Sequence, residues 1–138
     1  MLYLKKNSIR KIVTVNHQRP VNLDLGSLKF PPMAIASILH RISGLVLFLL
    51  LPIMMYFLSV SLQSLSSFDH LQALLSRPCN KLLIWAFSTA LIYHVLAGFR
   101  HMFMDLGFGE QLAVARCSAI TVIVLSIILT IFLGIWIW

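Results

Sequence analysis

Two sets of ionisable side chains sit in stretches that are otherwise apolar enough to cross a bilayer. The first is Ser37, His40, Arg41 and Gly44 in the run SILHRISG, at i, i+3, i+4 and i+7, so they share one face of a helix. The second is His94, Gly98, His101 and Asp105 in the run HVLAGFRHMFMD, again on one face, with Arg100 beside them. A charged side chain at the centre of a membrane helix costs about 2.5–3.5 kcal/mol on insertion scales, so such residues are functional candidates by default. Neutral imidazole is a common metal ligand, and haem iron is often held by a proximal histidine. His94, near the middle of its span, is therefore the candidate axial ligand. Gly98, one turn on, lets a flat macrocycle or another helix come close to the backbone. The bland alternatives stay open: a hydrogen-bonded packing histidine, and for the first set a snorkelling arginine among small packing residues.

Depth along the helices refines the picture. Counted from Met33, Arg41 sits about 12 Å into its helix. His94 and His101 lie about 10 Å apart along one face, so they cannot ligate one iron from opposite sides of its ring. His40 reads as shallower than His94, which points to a second polypeptide as the source of any second axial histidine. The expectation is a polar pocket near the cytoplasmic face with a haem held at His94 and its propionates rising toward His40 and Arg41. Asp105 is expected to pair with Arg100 or His101.

These residues must be positioned by membrane helices. The chain has 138 residues, 59% hydrophobic and 11% charged, against about 25% charged in soluble domains. Residues 42–68, 82–99 and 117–138 contain no Lys, Arg, Asp or Glu. A span needs roughly 20 apolar residues, so the fold expected is all-α, an integral membrane bundle of three transmembrane helices over about 32–61, 81–104 and 114–138. Pro31-Pro32 opens the first helix and Pro52 is expected to kink it. Residues 62–80 read as a loop, with Asn80 as cap of the second helix. Gly107 and Gly109 close that helix, and Trp136 and Trp138 form an interfacial anchor. The third helix carries no evident chemistry. Cys79 and Cys117 have no metal-ligand spacing and read as free thiols on opposite sides of the membrane.

The net charge is +7, but its distribution argues against nucleic acid. Lys5, Lys6, Arg10, Lys11, Arg19 and Lys29 all precede the first span. That is the positive-inside pattern, which places residues 1–31 as a basic cytoplasmic segment; the membrane expected is a bacterial inner one.

Taken together, Arg19-Pro20-Val21-Asn22-Leu23-Asp24-Leu25, SILHRISG at 37–44 and HVLAGFRHMFMD at 94–105 resemble the cytochrome b subunit of succinate dehydrogenase, the larger of two small membrane anchors of complex II. The resemblance covers roughly residues 18–108. It implies that His94 ligates a b-type haem shared with a histidine of a second small anchor subunit, and that His40 and Arg41 lie by its propionates. It further implies that Ser37 and Arg41 border a ubiquinone pocket completed by an iron–sulfur subunit and the second anchor, with a flavoprotein subunit oxidising succinate. The chain itself has no flavin motif and no iron–sulfur cysteine set, so alone it oxidises no succinate. In such a pocket a guanidinium and a hydroxyl would stabilise negative charge developing on the quinone oxygens. The role of His101 is not assigned by the pattern. Two rival readings are the anchor of a quinol:fumarate reductase and a non-redox membrane scaffold or transporter subunit.

Overall fold

The structure is a computed structural model, and it describes residues 31–138. The basic cluster before the first span and the segment Arg19–Leu25 lie outside the described residues. Four helices follow in order: α1 (Pro32–Ser61), α2 (Leu65–Leu75), α3 (Pro78–Asp105) and α4 (Leu112–Ile137). Among the described residues no strand is present. The three long helices each meet the length and hydropathy of a membrane span. At 1.5 Å per residue they are about 45, 42 and 39 Å long, so their ends reach beyond a hydrocarbon core of about 30 Å. The chain is a multi-pass membrane protein.

Cross-helix contacts fix the arrangement. Tyr93 Oη donates to Ala36 O at 2.9 Å, and Ser43 Oγ meets His94 Nδ1 at 3.1 Å. Along α1, His40 faces Gly98 and Gly44 faces His94, so numbers rise on α1 as they fall on α3 and the two helices are antiparallel. Arg100 meets Ser118 while Trp85 Nε1 donates to Thr130 O, so α3 and α4 are antiparallel as well. The start of α1, the end of α3 and the start of α4 therefore share one side, termed proximal here. The end of α1, all of α2, the start of α3 and the end of α4 share the distal side.

The core is made of small residues. Apart from Tyr93, every buried residue of the three spans is Ala or Ser: Ala36 and Ser43 on α1, Ala90 and Ala97 on α3, and Ala115, Ala119 and Ser126 on α4. Lipid tails are as apolar as leucine, so burying large aliphatics gains little here. Close approach of backbones and interhelical hydrogen bonds hold the helices together instead. The large side chains, such as Phe48, Leu49, Phe132 and Ile135, point outward. Tyr93 contributes the one buried large side chain in the spans, and its hydroxyl satisfies a carbonyl of α1. Tyr93→Phe is expected to cost about 0.5–1.5 kcal/mol, read as a lower midpoint in a denaturation series of the detergent-solubilised protein.

Three expectations need correction. Residues 62–80 are not all loop: they contain α2. The serines that suggest a loop act as its start, for Ser64 Oγ accepts from Ser67 N at 3.1 Å as N-cap. Leu65, Phe68, Leu71 and Leu75 then recur at helical spacing, with Leu71 buried. Asn80 does not cap α3. Arg77 holds the cap position with Pro78 in the first turn, and Asn80 Nδ2 donates instead to Leu74 O at 2.7 Å, tying α3 to the end of α2. The third span is not without polar function, since it anchors Arg100. α1 runs on through Pro52 as a helix. Gly107 and Gly109 have φ of 83° and 80°, left-handed values that favour glycine. They turn the chain between α3 and α4.

Candidate functional site

The proximal half of the α1–α3 seam gathers the polar residues. Ala36 and Ala97, both buried, let the two helices approach closely there. His40 from α1 and His94 from α3 meet in the seam, stacked with ring centroids 4.2 Å apart and planes inclined by 27°. His101 continues the row, 6.5 Å from His40. Gly98 faces His40 and Gly44 faces His94, so the backbone of His40 lies one turn nearer the proximal side than that of His94, and the two rings bridge the difference by stacking. The residue count gave no sign of the stacking, because the register that brings His94 beside Ser43 and Gly44 is not visible in either segment alone. Stacked rings present their faces to each other, so they still cannot grip one metal from opposite sides.

The hydrogen bonds assign the His94 tautomer. Ser43 is buried, and its hydroxyl proton is committed to His40 O at 2.8 Å. The same Oγ lies 3.1 Å from His94 Nδ1. While Ser43 donates to His40 O it accepts from His94, which in that arrangement donates through Nδ1–H. The lone pair of His94 is then on Nε2. That is the tautomer a metal-ligating histidine needs, with its other nitrogen oriented by a fixed acceptor. Gly44 gives the ring its space: a Cβ at Gly44 would stand 3.1 Å from His94 Cε1. Gly98 faces His40, where a built Cβ would stand 3.7 Å from His40 Nε2, an ordinary van der Waals distance. His40 Nε2 is buried without a hydrogen-bond partner among the described residues. A buried polar atom left unpaired costs roughly 1–3 kcal/mol, so a group from outside the chain that bonds it would be held with gain.

Above this pair a cleft of about 260 Å³ opens toward the proximal side, lined by Ser37, His40, Arg100, His101 and Asp105 over Ala36 and Ala97. His101 Nδ1 meets Asp105 Oδ2 at 2.9 Å, both side chains well exposed. Arg100 does not pair with Asp105. Its Nε donates to Ser118 Oγ at 3.0 Å and its Nη2 to Ala115 O at 3.1 Å. Ser118 passes its own proton to the same Ala115 carbonyl at 3.1 Å. This fixes the guanidinium to α4 while it also borders the cleft. Arg41 does not line the cleft: it is exposed on α1, beside Ser37, with no ion pair among the described residues. Among the described residues no three His, Cys, Asp or Glu side chains converge as a chelating set.

Residues 15–133 match the Succinate dehydrogenase/Fumarate reductase transmembrane subunit family. The chain belongs to that family. Among its relatives, a protein of Coxiella burnetii named succinate dehydrogenase cytochrome b556 subunit is 51% identical over 125 residues, covering 90% of this chain and 100% of that one. Proteins of the same name from Rickettsia typhi and Paracoccus denitrificans are 34% and 29% identical, over 86% and 82% of this chain and 93% and 87% of their own.

For this member of the succinate dehydrogenase/fumarate reductase transmembrane family, the structure brings Ser37, His40, His94 and His101 into one column and leaves Arg41 on the outer face of α1. Sequence reasoning quoted Ser43 without giving it a role, and gave Tyr93 and Ser118 none. No spacing rule links residues 51 apart, such as Ser43 and His94. Ser118 is one polar residue in an apolar helix, a signal visible only once Arg100 needs a partner.

Proposed function

We propose that the chain is the haem-b-binding anchor subunit of a succinate:ubiquinone oxidoreductase. The observation that carries this reading is the Ser43–His94 hydrogen bond, which leaves His94 Nε2 as a free base in mid-membrane. Haem b needs one such donor per face, and when bound it would supply a one-electron centre beside the quinone. The residues suit it. His94 would be this chain's axial ligand, and His40, with its unpaired Nε2, would donate to a propionate, with Arg41 adding charge. The second axial ligand would come from a histidine of a second anchor subunit. The exposed outer face of α1, with Arg41 and Ile38 on it, is the surface such a subunit would cover.

Ser37 and Arg41 would border the ubiquinone pocket. A quinone that accepts electrons singly develops negative charge on its oxygens. A guanidinium and a hydroxyl fixed nearby in low dielectric stabilise that charge as it forms. The proximal side would be the cytoplasmic face of a bacterial inner membrane, as the six cations before α1 favour. There the iron–sulfur subunit would close the pocket and a flavoprotein subunit would supply electrons from succinate. The succinate-oxidising direction is preferred because the curated relatives carry that name; the fumarate-reducing one shares the family.

The test is a reduced-minus-oxidised visible spectrum of the complex purified through this chain. A b-type haem band with flavin and iron–sulfur subunits co-purifying is the expected result. A chain that purifies alone and without haem would instead identify a non-redox scaffold.

A further inference from the structure

On the distal side, away from the histidine column, α2 packs on α1 and the start of α3 and leaves a groove of about 490 Å³ toward the end of α4. Its walls are apolar, with Phe68, Leu71 and Leu75 from α2 facing Ile84 and Trp136. At its rim stands Lys81, half-buried, with Nζ 5.8 Å from the Trp138 ring centroid. Arg77, the exposed N-cap residue of α3, lies four residues before Lys81, outside the groove lining.

The placement of these two cations is costly on three counts. They lie on the distal side, opposite the start of α1, where the positive-inside rule gives cations no topological use. They stand at the N-terminal end of α3, where the helix dipole disfavours positive charge. Neither forms an ion pair among the described residues; Asp69 on α2, the acid on this side, makes none. An anion at the rim offsets all three. An anion above an apolar groove, at the level of a tryptophan belt, has the anatomy of a phospholipid.

We infer that this distal groove binds one anionic glycerophospholipid, its phosphate at Lys81 and Arg77 and an acyl chain between α2 and Trp136. The apolar walls alone would take any lipid tail; the unpaired cations select for headgroup charge. A polybasic contact of this kind contributes about 1 kcal/mol per cation near the surface, which converts to roughly fivefold in retention for each.

Native mass spectrometry of the intact complex, exchanged into detergent with equal phosphatidylglycerol and phosphatidylcholine, reads this directly. The wild type is expected to keep one phosphatidylglycerol at activation energies that strip phosphatidylcholine. Lys81→Gln is expected to lose that preference and Lys81→Arg to keep it. Should Lys81→Gln yield no intact complex, Arg77→Gln carries the same comparison, with a partial loss expected. Equal retention of the two lipids by the wild type overturns the inference, as does unchanged phosphatidylglycerol retention in the glutamine variants. A groove filled by protein would retain neither lipid, and that result overturns it too.

Discussion

Replacing His94 with leucine is expected to abolish the b-type haem band of the purified complex, while replacing Ser43 with alanine weakens haem retention without abolishing it. The contrast follows from the hydrogen bonds. Leucine removes the ligating atom. Alanine at 43 leaves it in place but removes the acceptor that holds His94 Nδ1–H at 3.1 Å and so fixes Nε2 as the basic nitrogen. Loss of such an orienting partner typically lowers metal affinity about 10–100-fold. The measurement is the absorbance of the complex before and after passage over an apo-haem-protein acceptor, with subunit content followed by gel filtration. Wild-type protein should keep its haem, Ser43→Ala should lose it progressively, and His94→Leu should have none to lose. An unchanged spectrum in His94→Leu would remove it as a ligand and leave His94 as a packing residue stacked on His40.

The same pair shows what the sequence makes legible and what it hides. Charge and hydropathy alone locate three spans, because the bilayer forbids unpaired backbone polar groups and demands long apolar helices. Polar residues at helical spacing in those spans point to His40 and His94, because retaining them is costly. What fails is register. Nothing in the run from 33 to 44 tells how far α3 has slid along α1. The observed register brings Tyr93 Oη to the Ala36 carbonyl and sets the His94 ring in the space left by Gly44. Depth counted from the helix ends puts His40 above His94, as the facing Gly98 and Gly44 do, yet it gives no sign that the two rings stack. α2 is hidden for another reason. Ser64, Ser66 and Ser67 have the composition of a loop, yet one of them caps a helix and the others occupy its first turn. Arg100 illustrates the third kind of failure. Its sequence neighbours suggest Asp105, but the helix geometry aims it at α4, where Ser118 and the Ala115 carbonyl receive it.

Arg41→Ala is expected to lower succinate:quinone reductase activity by about 100-fold with the complex still assembled, since removing one donor to a developing oxyanion typically costs that much. The structure separates this from a folding effect. Arg41 is exposed on α1, outside the proximal cleft and without an ion pair among the described residues, so its loss breaks no salt bridge within the described chain. Ser37→Ala should act more weakly, by roughly tenfold, because a neutral hydrogen bond contributes only about 0.5–1.5 kcal/mol and 1.36 kcal/mol is a factor of ten in rate. Arg41→Lys keeps the charge but not the planar fork, and should fall between the two. Steady-state kinetics over a range of short-chain ubiquinone concentrations separate binding from chemistry. A donor that acts on the partly reduced quinone lowers kcat, whereas one that merely holds the oxidised ring raises KM. The expected pattern is a kcat loss for Arg41→Ala with succinate oxidation by a soluble dye acceptor intact, because that reaction needs no quinone. Normal quinone kinetics in both alanine variants would move the quinone pocket off this face of α1, and would leave the cleft bordered by Arg100 and His101 as the place to look for it.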